Sequence, residues 1–315
     1  MSGVVALAGG VGGAKLAHGL YRALPPGDLT VVANTGDDFV LHGLRICPDL
    51  DTVRYTLAGL ANPQTGWGIA GDTFNALDML TRLGAADTWF QLGDRDFGTH
   101  IYRSTQLATQ SLTAVEAAMS TALGIQATLL PMSDEPVATK LDTNTGRLDF
   151  QEYFVRRRHS DTVHGIHLEG IEAARPPAAL AGALARAAAI IFCPSNPLVS
   201  IGPILAVPGL RDLLLASPAP RVAISPIVGG KAIKGPADQM LAALGHEVSA
   251  LGVARLYQGL ISGMVIDHAD ATLAAPIRDL GMAVEVAQTV MQSDEDRESL
   301  ARTTLAFCDR LRGAG

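Results

Sequence analysis

The chain opens on an uninterrupted apolar run, Val4–Ala8, followed by a glycine string and then apolar positions at helical spacing through Leu16, Leu20 and Leu24. A short apolar run closed by glycine predicts a buried strand, and the spacing after it predicts a helix over 14–24 that Pro25-Pro26 stops. Leu29–Ala33 is a second apolar run, ending in the polar turn Asn34-Thr35-Gly36-Asp37-Asp38. Strand, glycine turn, helix, strand is a βαβ opening. It implies a parallel sheet with helices packed on its faces.

Helical spacing recurs over 73–83 and 113–123, and Thr113 with Glu116 has the spacing of a capping box. From 127 to 167 the texture changes to short strands, at 127–130 and 163–168, around the turn Asp142-Thr143-Asn144-Thr145-Gly146. We read 126–176 as an insertion or lid within a single domain covering 1–315. Alternation then resumes: helix over 177–188, strand over 189–193, helix over 205–215, strands over 221–225, 263–266 and 283–286. A closing amphipathic helix over 293–311 carries Asp294-Glu295-Asp296 in its first turn, where acids favour the helix dipole. The expected fold class is α/β, a Rossmann-like, mainly parallel sheet with helices on both faces and a smaller inserted subdomain.

At 315 residues and 48% apolar composition the chain can bury a sizeable core, which excludes disorder. Its net charge of −7 argues against nucleic acid as a partner, since phosphate-backbone binding needs clustered Lys and Arg. Cys47, Cys193 and Cys308 are scattered without metal-site or disulfide spacing, which fits a reducing compartment. The first apolar run lacks a basic flank and breaks at Gly9, so it reads as a strand and not a signal peptide. No stretch is long and apolar enough for a membrane span. The expected setting is cytoplasmic.

Candidate chemistry concentrates in the first hundred residues, where ten Asp and no Glu stand beside six Lys and Arg. The loop Gly9-Gly10-Val11-Gly12-Gly13-Ala14-Lys15 can turn backbone N–H groups toward an anion at a helix start, with Lys15 as an added cation. It departs from a P-loop, because Ala14-Lys15-Leu16 replaces Gly-Lys-Ser/Thr. It departs from the dinucleotide fingerprint too: Lys15 replaces the third glycine, and Asn34 stands where the acid belongs. Tight strand–helix packing is the alternative use of these glycines.

Asp37-Asp38 falls at the carboxyl end of the second strand, the edge where open α/β sheets bind ligands. Adjacent carboxylates there suit Mg²⁺ and phosphate, or else the capping and Asx-turn roles common to Asp. Asp49 and Asp51 in Cys47-Pro48-Asp49-Leu50-Asp51-Thr52, and Asp72, share those two readings. Gly93-Asp94-Arg95-Asp96 sets two acids around a guanidinium, either pinning a loop or orienting Arg95 toward phosphate. His100 follows as a candidate base or a structural histidine. Pro194-Ser195-Asn196-Pro197, after a buried strand, suits a base or ribose edge or a plain tight turn. Gly229, Gly230, Lys231 and Lys234 follow another strand and read as a second phosphate contact. Arg156-Arg157-Arg158 is either a solvated face or part of a closing lid.

Taken in order, these strings resemble the 2-phospho-L-lactate transferase family. Ile46 to Thr52, Trp67-Gly68 with Asp72-Thr73, Leu130-Pro-Met-Ser-Asp134, Ser200-Ile-Gly-Pro203 and Ser225-Pro-Ile227 extend the resemblance across nearly the whole chain. The resemblance implies transfer of a phospho-lactyl type group from a guanosine diphosphate adduct to the 5′-hydroxyl of the deazaflavin Fo. GMP is released, with Mg²⁺ as cofactor, in deazaflavin coenzyme biosynthesis. It implies the metal on Asp37, with Asp38 or water. Fo would contact Asp51 and the loop Asp94, Arg95, Asp96. Phosphates would lie on Gly10, Gly12, Gly13 and Lys15, and guanosine toward Ser195, Asn196, Gly230 and Lys231. The catalytic residues would be Asp37, Asp51 and Lys15, in a homodimer. The three-carbon acid stays open among phospholactate, phosphoenolpyruvate and 3-phosphoglycerate. The alternatives are a non-catalytic nucleotide-sugar-binding relative and, weakened by Lys15 and Asn34, an NAD-dependent oxidoreductase.

Overall fold

Seven strands, all parallel, form the central sheet of the computed structural model, which describes residues 3–313. They are β1 (Val4–Ala8), β2 (Leu29–Ala33), β3 (Thr128–Pro131), β4 (Ala189–Phe192), β5 (Arg221–Ile224), β6 (Gly263–Asp267) and β7 (Ala283–Ala287). Their order across the sheet is β7-β6-β5-β4-β1-β2-β3. Successive side chains of a strand point to opposite faces. Val5 and Leu7 therefore join one apolar cluster with Ile190 and Phe192, while Val4, Ala6 and Ala8 join the other with Ala189 and Ile191. Burial on both faces explains why these strands read as continuous apolar runs. β1 pairs with β2 on one side and β4 on the other. That reversal of connection direction opens a crevice at the strands' carboxyl ends.

Helix α1 (Gly10–Ala23) starts inside the glycine string, four residues earlier than its apolar spacing predicts. Gly19 lets it press against the closing helix Asp294–Gly313, since a Cβ there would stand 2.1 Å from Arg297 O. Two of the aspartate strings prove to be helix starts. α2 (Pro48–Leu57) has Pro48 at its first position and Asp49 and Asp51 in its first turn. Every residue of α2 from Asp49 to Leu57 is buried. A helix buried all round has no apolar stripe, so periodicity could not reveal it.

The helix expected over 73–83 is α3 (Asn75–Arg82), and α4 (Asp94–Gln106) carries the second pair of first-turn acids. The helix expected over 113–123 is α5 (Leu112–Ala122), capped by Ser111, whose Oγ accepts the Ala114 N–H at 3.2 Å. Glu116 does not complete a capping box. The helix expected over 205–215 is two, Ile201–Ala206 and Leu210–Ala216, parted at Pro208-Gly209 where Gly209 takes φ +83°. Within 126–176, Thr128–Pro131 belongs to the main sheet. A separate antiparallel sheet is built from Ala138–Thr143, Gly146–Asp149 and Val163–Glu169, with a π-helical turn Glu152–Arg156 between the last two. Among the described residues no helix is long and apolar enough to cross a membrane.

Glu116 instead joins a buried ion cluster. Arg54 on α2 and Arg103 on α4 have no solvent contact. Arg54 donates to Glu116 Oε2 at 2.5 Å and to Asp51 Oδ1; Arg103 donates to Glu116 Oε1 at 3.3 Å and to both oxygens of Asp51. Two guanidiniums and two carboxylates balance, and the cluster locks α2, α4 and α5 together. Removing one carboxylate leaves buried cations short of a partner, a change that typically costs about 3–5 kcal/mol. Glu116→Ala is accordingly expected to lower unfolding stability in denaturant titration by about that amount. A loss under about 1 kcal/mol would contradict the cluster's structural role.

Candidate active site

A cavity of about 510 Å³ lies at the carboxyl edge of the sheet, over the crevice between β1 and β4. One end is the glycine loop. Gly10 takes φ +63°, a conformation that favours glycine, and its N–H donates to Asp49 Oδ1 at 2.6 Å. A Cβ at Gly12 would meet Pro194 O at 2.4 Å, and one at Gly13 would meet Ser195 Oγ at 2.5 Å. These two glycines let the helix close on the turn after β4. The packing use of the loop is seen directly, and Gly10, Val11 and Gly12 also line the cavity. Ser195 clamps the loop, with Oγ accepting the Gly9 N–H at 3.0 Å and donating to Gly9 O at 2.7 Å. Asn196 lines the cavity while its Oδ1 accepts the Leu198 N–H at 2.9 Å. Lys15 donates to Met291 O at 2.8 Å, and burial, with Arg297 and Lys234 nearby, pushes its pKa down.

Beside this loop the cavity is acidic. Asp37 is buried and accepts from Asn34 Nδ2 and Gln151 Nε2, each at 3.2 Å. The same Asn34 amide donates to Asp49 Oδ2 at 2.9 Å and to Val199 O at 3.3 Å, while its Oδ1 accepts the Gly36 N–H. Burial, with Asp49, Asp38 and Asp51 close by, raises the Asp37 pKa well above the ordinary carboxylate range. Burial raises Asp49 to about 6. Neither carboxylate has a Lys or Arg within ion-pair distance among the described residues. They are negative groups held in low dielectric by amide donors alone, an arrangement that a cation would relieve.

Asp51 differs. Burial opposes its ionisation, but Arg103 and Arg54 overcome that cost and hold its pKa at about 2. It faces the cavity beside Tyr55, Asp96 and His100. The Tyr55 hydroxyl donates to Asp96 Oδ1 at 2.6 Å, and His100 Nε2 lies 3.3 Å from the same oxygen. Arg103 Nη1 sits 3.2 Å from His100 Nδ1. A guanidinium has no lone pair to offer, so His100 Nδ1 is the acceptor of that contact. His100 Nε2, though close to Asp96, is buried without a hydrogen-bond partner. The ligand atoms of Asp51, Asp96 and His100 lie within 4.8 Å of one another. The two guanidiniums already balance Asp51, so a cation has less to gain there than beside Asp37 and Asp49.

Among the residues singled out from sequence, Gly10, Gly12, Lys15, Asp37, Asp51, Asp96, Ser195 and Asn196 line this one cavity. Six others do not. Gly13 is packed beneath it. Asp38 turns to Arg45 (3.0 Å) and borders a second, smaller hollow. Asp94 caps α3, accepting from Thr73 Oγ1, Asn75 and the Ala76 N–H. Arg95 donates outward to Ala70 O. Gly230 and Lys231 sit in an exposed hairpin turn, and it is Lys234 that reaches the cavity. Sequence reasoning gave Gln151, Tyr55 and the aromatic wall of Trp67, Phe90, Phe150 and Phe154 no role. Nothing in their spacing marks them, because they arrive from four separate segments.

A model of the family described as "2-phospho-L-lactate transferase CofD" matches residues 4–305. The chain is 43% identical to a phosphoenolpyruvate transferase of Kitasatospora aureofaciens, covering 98% of each. It is 38% identical to a 2-phospho-L-lactate transferase of Methanosarcina mazei, covering 95% of this chain and 98% of the other. A UPF0052-family protein of Bacillus halodurans shares the fold at a TM-score of 0.67 and 15% identity, over 96% of this chain and 98% of that one. By the family model and by these relatives, the chain belongs to the CofD family of 2-phospho-L-lactate transferases.

Proposed function

We propose that this chain transfers a phosphorylated three-carbon acid, phosphoenolpyruvate foremost, from its guanosine diphosphate adduct to the 5′-hydroxyl of Fo, releasing GMP. The choice of acid follows the relatives at 42–43% identity, which are named for phosphoenolpyruvate, against 36–38% for those named for phospholactate. The observation that carries the reading is one cavity lined by a helix N-terminus, two lysines and two carboxylates that lack a Lys or Arg partner. A diphosphate ester with a divalent cation would engage both sets of charges. The aromatic wall, where the Phe150 and Phe154 rings lie parallel within 9°, suits a flat tricyclic acceptor.

Mg²⁺ fits the residues present: Asp37 and Asp49 would hold it, taking the place given to Asp38 on sequence grounds. Once bound it would supply charge neutralisation on the phosphate oxygens. The chain's own groups do the rest. The amides of Val11 and Gly12 with Lys15 would grip the phosphates. The acceptor hydroxyl attacks the acid-side phosphorus as the bond to the GMP oxygen breaks. Phosphoryl transfer runs through a loose transition state, so positioning outweighs strong base catalysis. Asp51, ionised down to about pH 2, is too weak a base to deprotonate an alcohol and suits accepting its hydrogen bond. Asp96, steadied by Tyr55, offers a second acceptor.

Asp37→Asn is expected to lower turnover by at least about 100-fold, as for loss of a charge-stabilising group. Near-normal rates in saturating Mg²⁺ would remove Asp37 from the metal site. The raised Asp49 pKa makes a signed prediction. The folded group holds its proton between the ordinary 3.8 and about 6, whereas the unfolded one releases it. This contribution to the stability of the metal-free protein falls as pH rises through that window, and Mg²⁺ should restore it. Thermal melts with no Mg²⁺ effect at pH 7 would count against Asp37–Asp49 as its site. Mass spectrometry of the product formed from each acid's guanosine adduct tests the reaction itself. Incorporation of phospholactate in preference to the enolpyruvyl group would overturn the choice of acid, and no product from any adduct would overturn the whole reading.

A further inference from the structure

Among the cavity-lining residues the fully cationic side chains are Lys15 and Lys234. They arrive from opposite ends of the chain, one in the first turns of α1 and one after the hairpin Ile227–Val228, Lys231–Ala232. Lys234 donates its ammonium to Thr65 O. Gly66, the next residue of that loop, has φ +77°. A Cβ there would stand 2.6 Å from Val11 Cγ1 and 3.2 Å from Lys234 Nζ. The ammonium therefore sits where the 62–68 loop crosses the start of α1. Neither lysine has a carboxylate within ion-pair distance among the described residues, and the carbonyl partners of Lys15 and Lys234 satisfy one donor of three on each. Burial lowers the pKa of both, and the Lys234 charge lowers that of Lys15 further. Two partly buried ammoniums without an ion-pair partner thus stand beside the start of α1, where Val11 and Gly12 line the cavity.

We propose that Lys234 is a donor-binding residue that, with Lys15 and the α1 N-terminus, grips the diphosphate, and that its bond to Thr65 O holds it there before the anion arrives. The inference rests on the proposed diphosphate donor and deepens it by assigning the second cation. The clasp also ties the 62–68 loop, which carries the half-exposed Trp67, to the donor end of the cavity. Lys231, which directly follows the turn at Gly229-Gly230, is exposed and takes no part.

The test is calorimetric titration of the full-length protein with inorganic pyrophosphate and with GDP. Lys234→Met keeps the aliphatic stem and removes the charge; it should weaken both ligands at least about tenfold, the scale of one charge-assisted hydrogen bond. Lys234→Arg should retain most of the affinity, and log affinity should fall less steeply with salt in Lys234→Met than in the wild type. An unchanged thermal melt of the ligand-free Lys234→Met protein separates an anion-binding defect from a collapsed cavity. Pyrophosphate affinity in Lys234→Met equal to the wild type, or a greater loss in Lys231→Ala than in Lys234→Met, would overturn the assignment while leaving the transferase reading intact. A wild-type protein that binds neither anion would sink the donor reading and this assignment with it.

Discussion

Two guanidiniums sealed from solvent, Arg54 and Arg103, decide how the catalytic edge of this protein is built. Burying them is tolerable only because Asp51 and Glu116 supply matching charge at hydrogen-bonding distance. Geometry then follows from electrostatics. Asp51 must face both arginines, which fixes the rotation of α2, and α2 in turn delivers Asp49 to the start of α1 and to Asn34. An arginine that holds Asp51 ionised also contacts His100 Nδ1. One balanced cluster thus sets the ionisation of a cavity-facing acid and packs against the ring beside it.

The cavity itself is unbalanced, and that asymmetry is its chemical content. Carboxylates lie in low dielectric with amides but no Lys or Arg partner, and ammoniums lie with carbonyls but no ion pair. Each set alone is costly, and an apolar repacking would stabilise the fold better. Under the proposed function, a ligand carrying both a metal ion and a phosphate chain would offset that cost. Local strain follows the same logic. Arg158 and His159, with φ +51° and +46°, end the π-helical turn that brings Phe154 to the cavity wall.

The sheet was legible because its inner strands are buried on both faces, and burial of that kind writes itself as short apolar runs between turn residues. Val4–Ala8, Leu29–Ala33 and the runs beginning at 189, 221, 263 and 283 are strands where expected. The site was legible in part. Asp37, Asp51 and Lys15 were found because short acids and a lysine beside glycine turns are unusual where a sheet edge is expected. Asp38, Asp94 and Arg95 were named by the same signal and serve the scaffold. A carboxylate in a turn looks the same whether it faces a cavity, an arginine or a helix start.

The sequence by itself determined the parallel α/β sheet, the glycine-led first helix and the motif order that places the chain in its family. It did so because strand burial, chain reversal at glycine and helix termination at proline are local events. Tertiary structure alone decided which acids are compensated and which are not. Asp49 and Asp51 stand two residues apart on one helix. Yet burial holds one at about 6, and arginines from two helices hold the other at about 2. That difference comes from partners up to fifty-two residues away in sequence, and no local pattern carries it.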